Sequence, residues 1–205
     1  RIALVVANVA KVEMSKIKSL RYLGEKVLWH RCQPVTNIKS PGIRNLSQAL
    51  IDTCMANNGA GLAAPQVGSL WNMFVMLEEH DDEEKKEPSP ASYTAVINPE
   101  IVSFSEDKIR GWEGCLSIPG MFARVKRSSS IRVSYMNGNG EAVERELDDF
   151  SARVFLHEYD HLHGVTMLDR VDNVRDIVHE SVFDKLEMEE VIENLKTKAE
   201  LPYLL

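Results

Sequence analysis

Two histidines four residues apart, His157 and His161, form the part of the sequence best suited to metal chemistry. Residues at this spacing lie on one face of an α-helix, so both imidazoles can bind a single metal ion. Glu158 lies beside them and can transfer protons, as in the HExxH motif of metalloproteases. Taken alone, the pattern also fits a helix with two ordinary histidines, one of them packed in the core.

A catalytic site of this type needs a third protein ligand and an open position for water, and three positions compete for that role. Metalloproteases with HExxHxxGxxH would need a histidine at position 167, which is Met in this chain. Glu180 lies at the separation used by thermolysin-like zincins, although the surrounding segment is rich in glutamate. Cys115 lies in WEGCLSIPG, near a predicted turn at Pro119-Gly120 that can present a thiolate and free backbone N–H groups.

The composition predicts one globular domain over residues 1–205 and excludes several classes of protein. With 44% hydrophobic residues, the chain can bury a substantial core. The net charge of −7 argues against a general nucleic-acid surface, and no apolar run reaches the length of a membrane span, about 20 residues. The three scattered cysteines are too few for a disulfide framework and favour a reducing compartment.

The elements that would position these residues indicate an α+β fold. Apolar residues recur at helical spacing between Ile43 and Cys54, and again before Gly164, where a glycine is expected to end the histidine helix. Alternating apolar residues flank a turn-forming run after Met136. The predicted elements are a helix at 42–57, a strand at 71–77, strand-like residues 94–104 around a turn at Asn98-Pro99, a hairpin at 131–147, the histidine helix at 150–162 and a polar helix at 174–198.

Three segments lie outside this pattern. Residues 78–90 are charged and bounded by prolines, which predicts a solvated acidic loop inserted into the domain. Residues 171–205 are predicted to form a C-terminal helical extension. Residues 2–10 fit either a buried strand or the remnant of a targeting segment. Because Arg1 is not a methionine, we expect further natural residues to precede it.

Three motifs resemble the signature motifs of the peptide deformylase family, in that family's order: GAGLAAPQ at 59–66, EGCLS at 113–117 and HEYDHLHG at 157–164. The resemblance covers residues 18–170. It implies an enzyme that removes the N-formyl group from nascent polypeptides beginning with formyl-methionine and releases formate. It also implies antiparallel sheets around a central helix that carries HExxH, to which this sequence adds a C-terminal helix.

The resemblance assigns roles to individual residues of this chain. The metal ligands would be Cys115, His157 and His161. Glu158 would be the general base and acid, while Gln66 and the backbone N–H of Leu116 would polarise the formyl oxygen. The substrate-binding residues would be Gly61, Gly114, Phe150 and Val154. The ligand set suits Fe²⁺, Zn²⁺, Co²⁺ or Ni²⁺, and the resemblance points to Fe²⁺ in the cell.

The residues around these motifs add three expectations. Phe150, Val154 and Phe155 could line a pocket for an unbranched apolar side chain such as methionine. Leu156 stands where the family usually has Gln, which alters the expected hydrogen bonding behind the metal ligands. Arg127 is predicted to pair with Glu113 and brace the cysteine loop.

Two other functions compete with this interpretation. The first is a zincin-type endopeptidase that uses Glu180, and the second is a catalytically silent relative that binds nascent chains or ribosomes. The expected partners are N-formyl-methionyl peptides and, transiently, the ribosome, with no direct nucleic-acid or membrane binding. The absent start, the acidic loop and the tail favour an organelle with its own translation, a mitochondrion before a plastid, with the bacterial cytoplasm as the alternative.

Overall fold

This computed structural model describes residues 17–78, 89–183 and 185–186. They contain two complete α-helices, eight β-strands, five short 3₁₀ helices and a further helical segment that begins at Glu180. The helices are α1 (Pro41–Ala56) and α2 (Asp149–Leu162). The strands are β1 (Gly61–Ala63), β2 (Met73–Leu77), β3 (Tyr93–Phe104), β4 (Lys108–Cys115), β5 (Ile118–Ser128), β6 (Ser130–Met136), β7 (Ala142–Asp148) and β8 (Ile177–His179). The predicted α+β class is confirmed.

The strands form two antiparallel sheets that share one helix. A five-stranded sheet has the order β1-β2-β3-β6-β7, and a three-stranded sheet has the order β4-β5-β8. Helix α2 contacts strands of both sheets. The helix that carries HExxH therefore packs between strands of the two sheets.

Strand β2 lies between two hydrophobic cores because successive side chains of a strand point to opposite faces of the sheet. Phe74 and Met76 pack in a cluster that includes side chains of α2. Met73 and Val75 pack in a second cluster with side chains of α1. Both faces of the five-stranded sheet are therefore covered, and α2 is fixed against it.

The ends of both helices follow local sequence signals. The Ser40 side chain accepts a hydrogen bond from the Ile43 N–H, and Pro41 occupies the first turn of α1, as expected of a capped helix start. Gly164 follows α2 with a φ of 72°. A Cβ atom there would lie 2.6 Å from the backbone oxygen of Trp29, so only glycine fits this helix end. The predicted hairpin at 131–147 is confirmed as β6 and β7.

The predicted turn at Asn98-Pro99 is wrong, because β3 continues through both residues with a shift in its pairing to β6 between Ile97 and Glu100. Asn98 has a positive φ of 51°. Its side-chain amide pairs with the backbone N–H and C=O of Val35, each at 2.8 Å. These hydrogen bonds compensate for the interrupted ladder, so the strand bulges and does not turn back.

The predicted helix at 174–198 is also wrong in its first part. Val174–Asp176 form a single 3₁₀ turn, and Ile177–His179 form β8 along the edge of β5. The free hydrogen-bonding edge of β5 captures this segment, and helical conformation begins only at Glu180. Residues 180–183 and 185–186 are helical, as predicted. The other residues of the predicted C-terminal helix, residues 2–10 and most of the acidic loop lie outside the described residues. Among the described residues, no helix is both long and apolar enough to cross a membrane.

Candidate metal centre

Helix α2 and the end of β4 bring three potential metal ligands together. The ligand atoms of Cys115, His157 and His161 all lie within 4.8 Å of one another. Sγ of Cys115 is 3.3 Å from Nε2 of His161. A thiolate with two imidazoles suits Fe²⁺, Zn²⁺ and related divalent ions, so these residues fit a transition metal.

This cluster is the one group of potential metal ligands among the described residues, and it does not include Glu180. The arrangement favours the cysteine as third ligand over the zincin alternative. Cys115 reaches the site because β4 and β5 form a hairpin in which Cys115 pairs with Ile118 after a shift in register. Cys115 and His161 are 46 residues apart in the sequence, so tertiary packing is what brings their side chains together.

The pKa of the Cys115 thiol is lowered by the two neighbouring histidines, which favours the form that binds a cation. Burial by itself would raise the pKa of this thiol, but the neighbouring His161 and hydrogen bonds from His157 and His161 outweigh that effect and lower the pKa to about 5. The side chain is therefore a thiolate at neutral pH, and the thiolate is the form that binds metals. The hydrogen bond with Cys115 also raises the pKa of His157, although burial acts against it.

Glu158 lies beside the ligands in the space that Gly61 leaves open. A Cβ atom at Gly61 would lie 2.6 Å from Oε1 of Glu158, so a larger residue there would displace the carboxylate. Oε2 of Glu158 is buried and has no hydrogen-bond partner among the described residues. Burial is the main cause that raises the pKa of Glu158, to about 7. Such a carboxyl group can accept and release a proton near neutral pH.

The side chain of Gln66 is fixed with its amide nitrogen toward the metal cluster. Oε1 accepts a hydrogen bond of 2.8 Å from the backbone N–H of Ala63. Nε2 lies 3.2 Å from Oγ of Ser117 and 3.7 Å from Sγ of Cys115. Since the carbonyl end is occupied, the donor end is the one presented to the site, as an oxyanion-stabilising role requires.

A buried ion-pair network fixes the cluster from behind. The Arg127 guanidinium donates two hydrogen bonds of 2.9 Å to Glu113 and one of 2.6 Å to Asp160 of α2. The predicted Arg127–Glu113 pair is thus confirmed. Burial would raise the pKa of Glu113, but hydrogen bonds from His157 and Arg127 hold it well below its usual range. The network therefore ties the β4–β5 hairpin to the helix that carries both histidines.

Although Leu156 stands where the family usually has Gln, His157 still has a hydrogen-bond partner. Leu156 is buried in the hydrophobic cluster of α2. The Glu113 carboxylate lies 2.9 Å from Nδ1 of His157, so this ligand has a charged hydrogen-bond acceptor. Nδ1 of His161, by contrast, has no hydrogen-bond partner among the described residues.

A cavity of about 550 Å³ opens from the metal cluster. The predicted residues that line it are Gly61, Gln66, Gly114, Cys115, Leu116, Phe150, Val154, His157 and Glu158. The prediction that Phe155 lines this pocket is wrong. Its ring is fully buried in the core and packs edge-on against Phe74, with ring centroids 5.1 Å apart. Phe155 is not among the residues that line the cavity.

Sequence reasoning missed several residues that line the same cavity. These residues are Leu20, Tyr22, Asn57, Asn58, Trp112, Ile118, Met121, Phe122 and Arg153, and Glu180, considered above only as a metal ligand, also lines the cavity. Trp112 lies on β4 and Phe122 on β5, and the ring of each contacts Phe183. A hairpin prediction for these two strands would have indicated both residues. Arg153 forms an ion pair with Glu113 at 2.8 Å. In the sequence, the only indication that Arg153 lies near the site is its position in α2, one turn before His157.

The fold and the site together define a class of protein. The site combines a helix with HExxH, a cysteine from a β-hairpin within reach of both histidines, an adjacent carboxylate and an open cavity. These are the components of a metal-dependent hydrolase. Comparisons with known proteins then give the family.

A family model described as polypeptide deformylase matches residues 17–176. Peptide deformylase 2 of Nostoc sp. is 37% identical over 164 residues, which cover 80% of this chain and 91% of that protein. The crystal structure of peptide deformylase from Thermotoga maritima superimposes with a TM-score of 0.68 at 39% identity, covering 77% of this chain and 99% of that one. A Met-Ala-Ser-bound peptide deformylase from Acinetobacter baumannii has the same TM-score of 0.68 at 30% identity, with coverages of 76% and 98%.

The chain belongs to the peptide deformylase family. The activity of this family is removal of the N-formyl group from nascent polypeptides, and the chain is accordingly a hydrolase of protein biosynthesis. Its Cys115, His157 and His161 form the candidate metal site that such an enzyme needs.

Proposed function

We propose that this chain hydrolyses the formyl group of peptides that begin with N-formyl-methionine and releases formate. The observation that carries the proposal is the cluster of Cys115, His157 and His161, whose ligand atoms lie within 4.8 Å of one another beside a cavity of about 550 Å³. The Acinetobacter relative bound to Met-Ala-Ser supports it, since this tripeptide is what deformylation of formyl-Met-Ala-Ser leaves.

In this mechanism Cys115, His157 and His161 would hold a divalent metal ion, which supplies Lewis acidity toward water and the formyl oxygen. The unpartnered Oε2 of Glu158 accepts a proton from the attacking water. Glu158 then delivers that proton to the amine nitrogen as the C–N bond breaks, leaving formate and a free amino terminus. A pKa of about 7 allows both transfers near neutral pH.

Two donors would stabilise the oxyanion that forms on the formyl group. Nε2 of Gln66 is held in place by the Ala63 and Ser117 hydrogen bonds, and the backbone N–H of Leu116 is the second donor. Fixed donors need no reorganisation during the reaction, so they stabilise the transition state more than water would.

The peptide would be positioned by the walls of the cavity. Gly61 and Gly114 both line the cavity. The backbone of Gly61 would pair with the extended peptide, and Gly114 would allow its close approach. Val154 and the half-exposed Phe150 offer apolar surface for the methionine side chain.

Deformylation is tested with anaerobically purified protein, formyl-Met-Ala-Ser and parallel assays of formate and free amine. We expect equal amounts of both products and about one metal ion per chain, as three protein ligands predict. Cleavage of unformylated internal peptide bonds at comparable rates would support the zincin alternative. Peptide binding without formate release would support a catalytically silent relative.

We infer that the native metal is Fe²⁺, with Zn²⁺, Ni²⁺ or Co²⁺ able to replace it. The thiolate ligand Cys115 supports the inference, since thiolates bind all of these ions and are themselves oxidised in air. Activity of the iron form should decay in air, whereas Ni²⁺ or Co²⁺ forms should persist. Equal air stability of all forms would contradict a native iron site.

We further propose that the natural protein works in an organelle with its own translation, a mitochondrion before a plastid, where it contacts ribosomes transiently. The acidic loop at 78–90 and the residues beyond 170 support this proposal as additions to a single catalytic domain. The bacterial cytoplasm is the alternative, and the bacterial sources of the relatives favour it. Fractionation of cells that produce the natural protein distinguishes the two, and co-sedimentation tests the ribosome contact.

A further inference from the structure

The residues that follow the family-matched part of the chain form a wall of the substrate cavity. The family model ends at residue 176, and β8 begins at Ile177. Strand β8 pairs with β5 through Phe122–Val178 and Met121–His179. Glu180 comes next and lines the cavity that contains the metal cluster.

Contacts on both sides of Glu180 hold it at this wall. Before it, the β8 pairing fixes the backbone beside β5, and the Glu180 carboxylate lies 3.9 Å from the position of a Cβ atom built on Gly120. After it, the Phe183 ring stacks on Phe122 with centroids 4.1 Å apart and meets Trp112 edge-on at 5.6 Å. Both aromatic partners line the cavity, so Glu180 is anchored to the same surface.

The Glu180 carboxylate is an uncompensated charge on this cavity. It is exposed and has no ion-pair partner among the described residues. The other charged residues of the lining are neutralised or buried: Glu113 pairs with Arg153 at 2.8 Å, and His157 and Glu158 are buried at the metal cluster. Within the described part of the lining, Glu180 is therefore the one exposed charge that has no ion-pair partner.

We propose that Glu180 is a specificity-determining residue that favours formyl peptides with lysine or arginine at the second or third position. The proposal rests on the deformylase function and names the preferred substrate class for that site. Glu180 lies outside the cluster of potential ligands, and an extended peptide advances about 3.3 Å per residue. The proposal therefore assigns the contact with Glu180 to the residues that follow the formyl-methionine. An exposed ion pair supports a preference of about two- to fivefold.

The experiment compares kcat/KM for formyl-Met-Lys-Ser against formyl-Met-Glu-Ser and for formyl-Met-Ala-Lys against formyl-Met-Ala-Glu. The wild-type protein should prefer lysine by about two- to fivefold at one of these positions. Glu180→Gln should bring that ratio toward one, and Glu180→Lys should invert it. Because salt screens exposed charges, with a Debye length of about 3 Å at 1 M, the wild-type preference should vanish there.

A matched control and a second measurement separate the outcomes. Glu106→Gln removes the same charge from the exposed β3–β4 connection, outside the cavity lining, and should keep the wild-type ratios. Calorimetric binding of the products Met-Ala-Lys and Met-Ala-Glu gives the preference without turnover. If all four formyl peptides are hydrolysed with ratios unchanged in Glu180→Gln, the specificity role is refuted. If the metal-loaded wild type hydrolyses none of them, the deformylase function fails, and this inference with it.

Discussion

Oε2 of Glu113 lies 2.9 Å from Nδ1 of His157, and both groups are buried. Because the pKa of Glu113 is held well below its usual range by His157 and Arg127, the carboxylate is ionised and accepts the Nδ1 proton. Nε2 is then the nitrogen that His157 presents to a metal. Carboxylates in this position orient a histidine ligand and raise its basicity.

Glu113→Gln tests this relationship directly. The substitution preserves the shape of the side chain but removes the charge that fixes His157, so metal affinity should fall about 10–100-fold. Competition with a chelator measures the affinity. Glu144→Gln is the control, since Glu144 forms an exposed pair with Arg132 at 2.8 Å and should keep the wild-type affinity. Equal affinities in both variants would mean that Glu113 has a purely structural role.

Substitution of Cys115 or of Glu180 should show which of them is the third metal ligand, and so distinguish the deformylase site from the zincin site. Cys115→Ala removes one of three clustered ligand atoms and should abolish metal retention through gel filtration. Glu180→Ala should retain close to the wild-type metal content, because Glu180 lies outside the cluster. Elemental analysis of the two purified variants gives the answer, and the reverse pattern would overturn the assigned ligand set.

Glu158→Gln should show whether Glu158 transfers protons or has only a structural role. The variant keeps the size of the side chain but cannot take up a proton, and positioned acid–base catalysis contributes about 10²–10⁴-fold. We therefore expect kcat to fall at least about 100-fold, with KM and metal content much less changed. The melting temperature should not fall, since Oε2 of Glu158 has no hydrogen bond to lose among the described residues. A stable, metal-loaded variant with near-normal turnover would remove the proposed base.

Gly61→Ala should displace the Glu158 carboxylate while leaving Glu158 itself unchanged. The new Cβ atom would lie 2.6 Å from Oε1 of Glu158, so the carboxylate must move and kcat should fall about tenfold or more, as about 1.4 kcal/mol of lost transition-state stabilisation would produce. Gly42→Ala is the matched control, because a Cβ atom there meets nothing within 4 Å. In helix α1 that control should raise stability by about 0.5–1 kcal/mol. Kinetics and thermal unfolding of both variants check the pair.

The three cysteines should differ sharply in reactivity once the metal is removed. Burial raises the pKa of Cys32 and of Cys54 to about 12, so both stay protonated at pH 7. Despite its burial, Cys115 has a pKa lowered to about 5 by His161 and His157, and it is a thiolate at any pH well above that value. A thiol reagent at pH 7 should therefore modify one cysteine rapidly in the metal-free protein and none rapidly in Cys115→Ala. Three equally fast thiols would contradict the buried positions.

The sequence by itself determined the features that depend on local spacing. The four-residue separation of His157 and His161 places both rings on one side of α2, whatever the rest of the chain does. Gly164 ends that helix because its φ of 72° is open to glycine. The β6–β7 hairpin follows from alternation around a turn, and three short motifs were enough to identify the family.

Only the tertiary structure decided which distant residues meet. Gln66 and Cys115 are 49 residues apart in sequence but adjacent in the site, since sheet register and helix packing set that distance and no local periodicity encodes it. The same reason explains the two wrong predictions of secondary structure. Residues 177–179 were captured by the open edge of β5, and Asn98 was held in a bulge by the backbone of Val35. The place of Glu180 on the cavity wall likewise depends on β8 and the Phe183 stack, which are contacts between segments far apart in the chain.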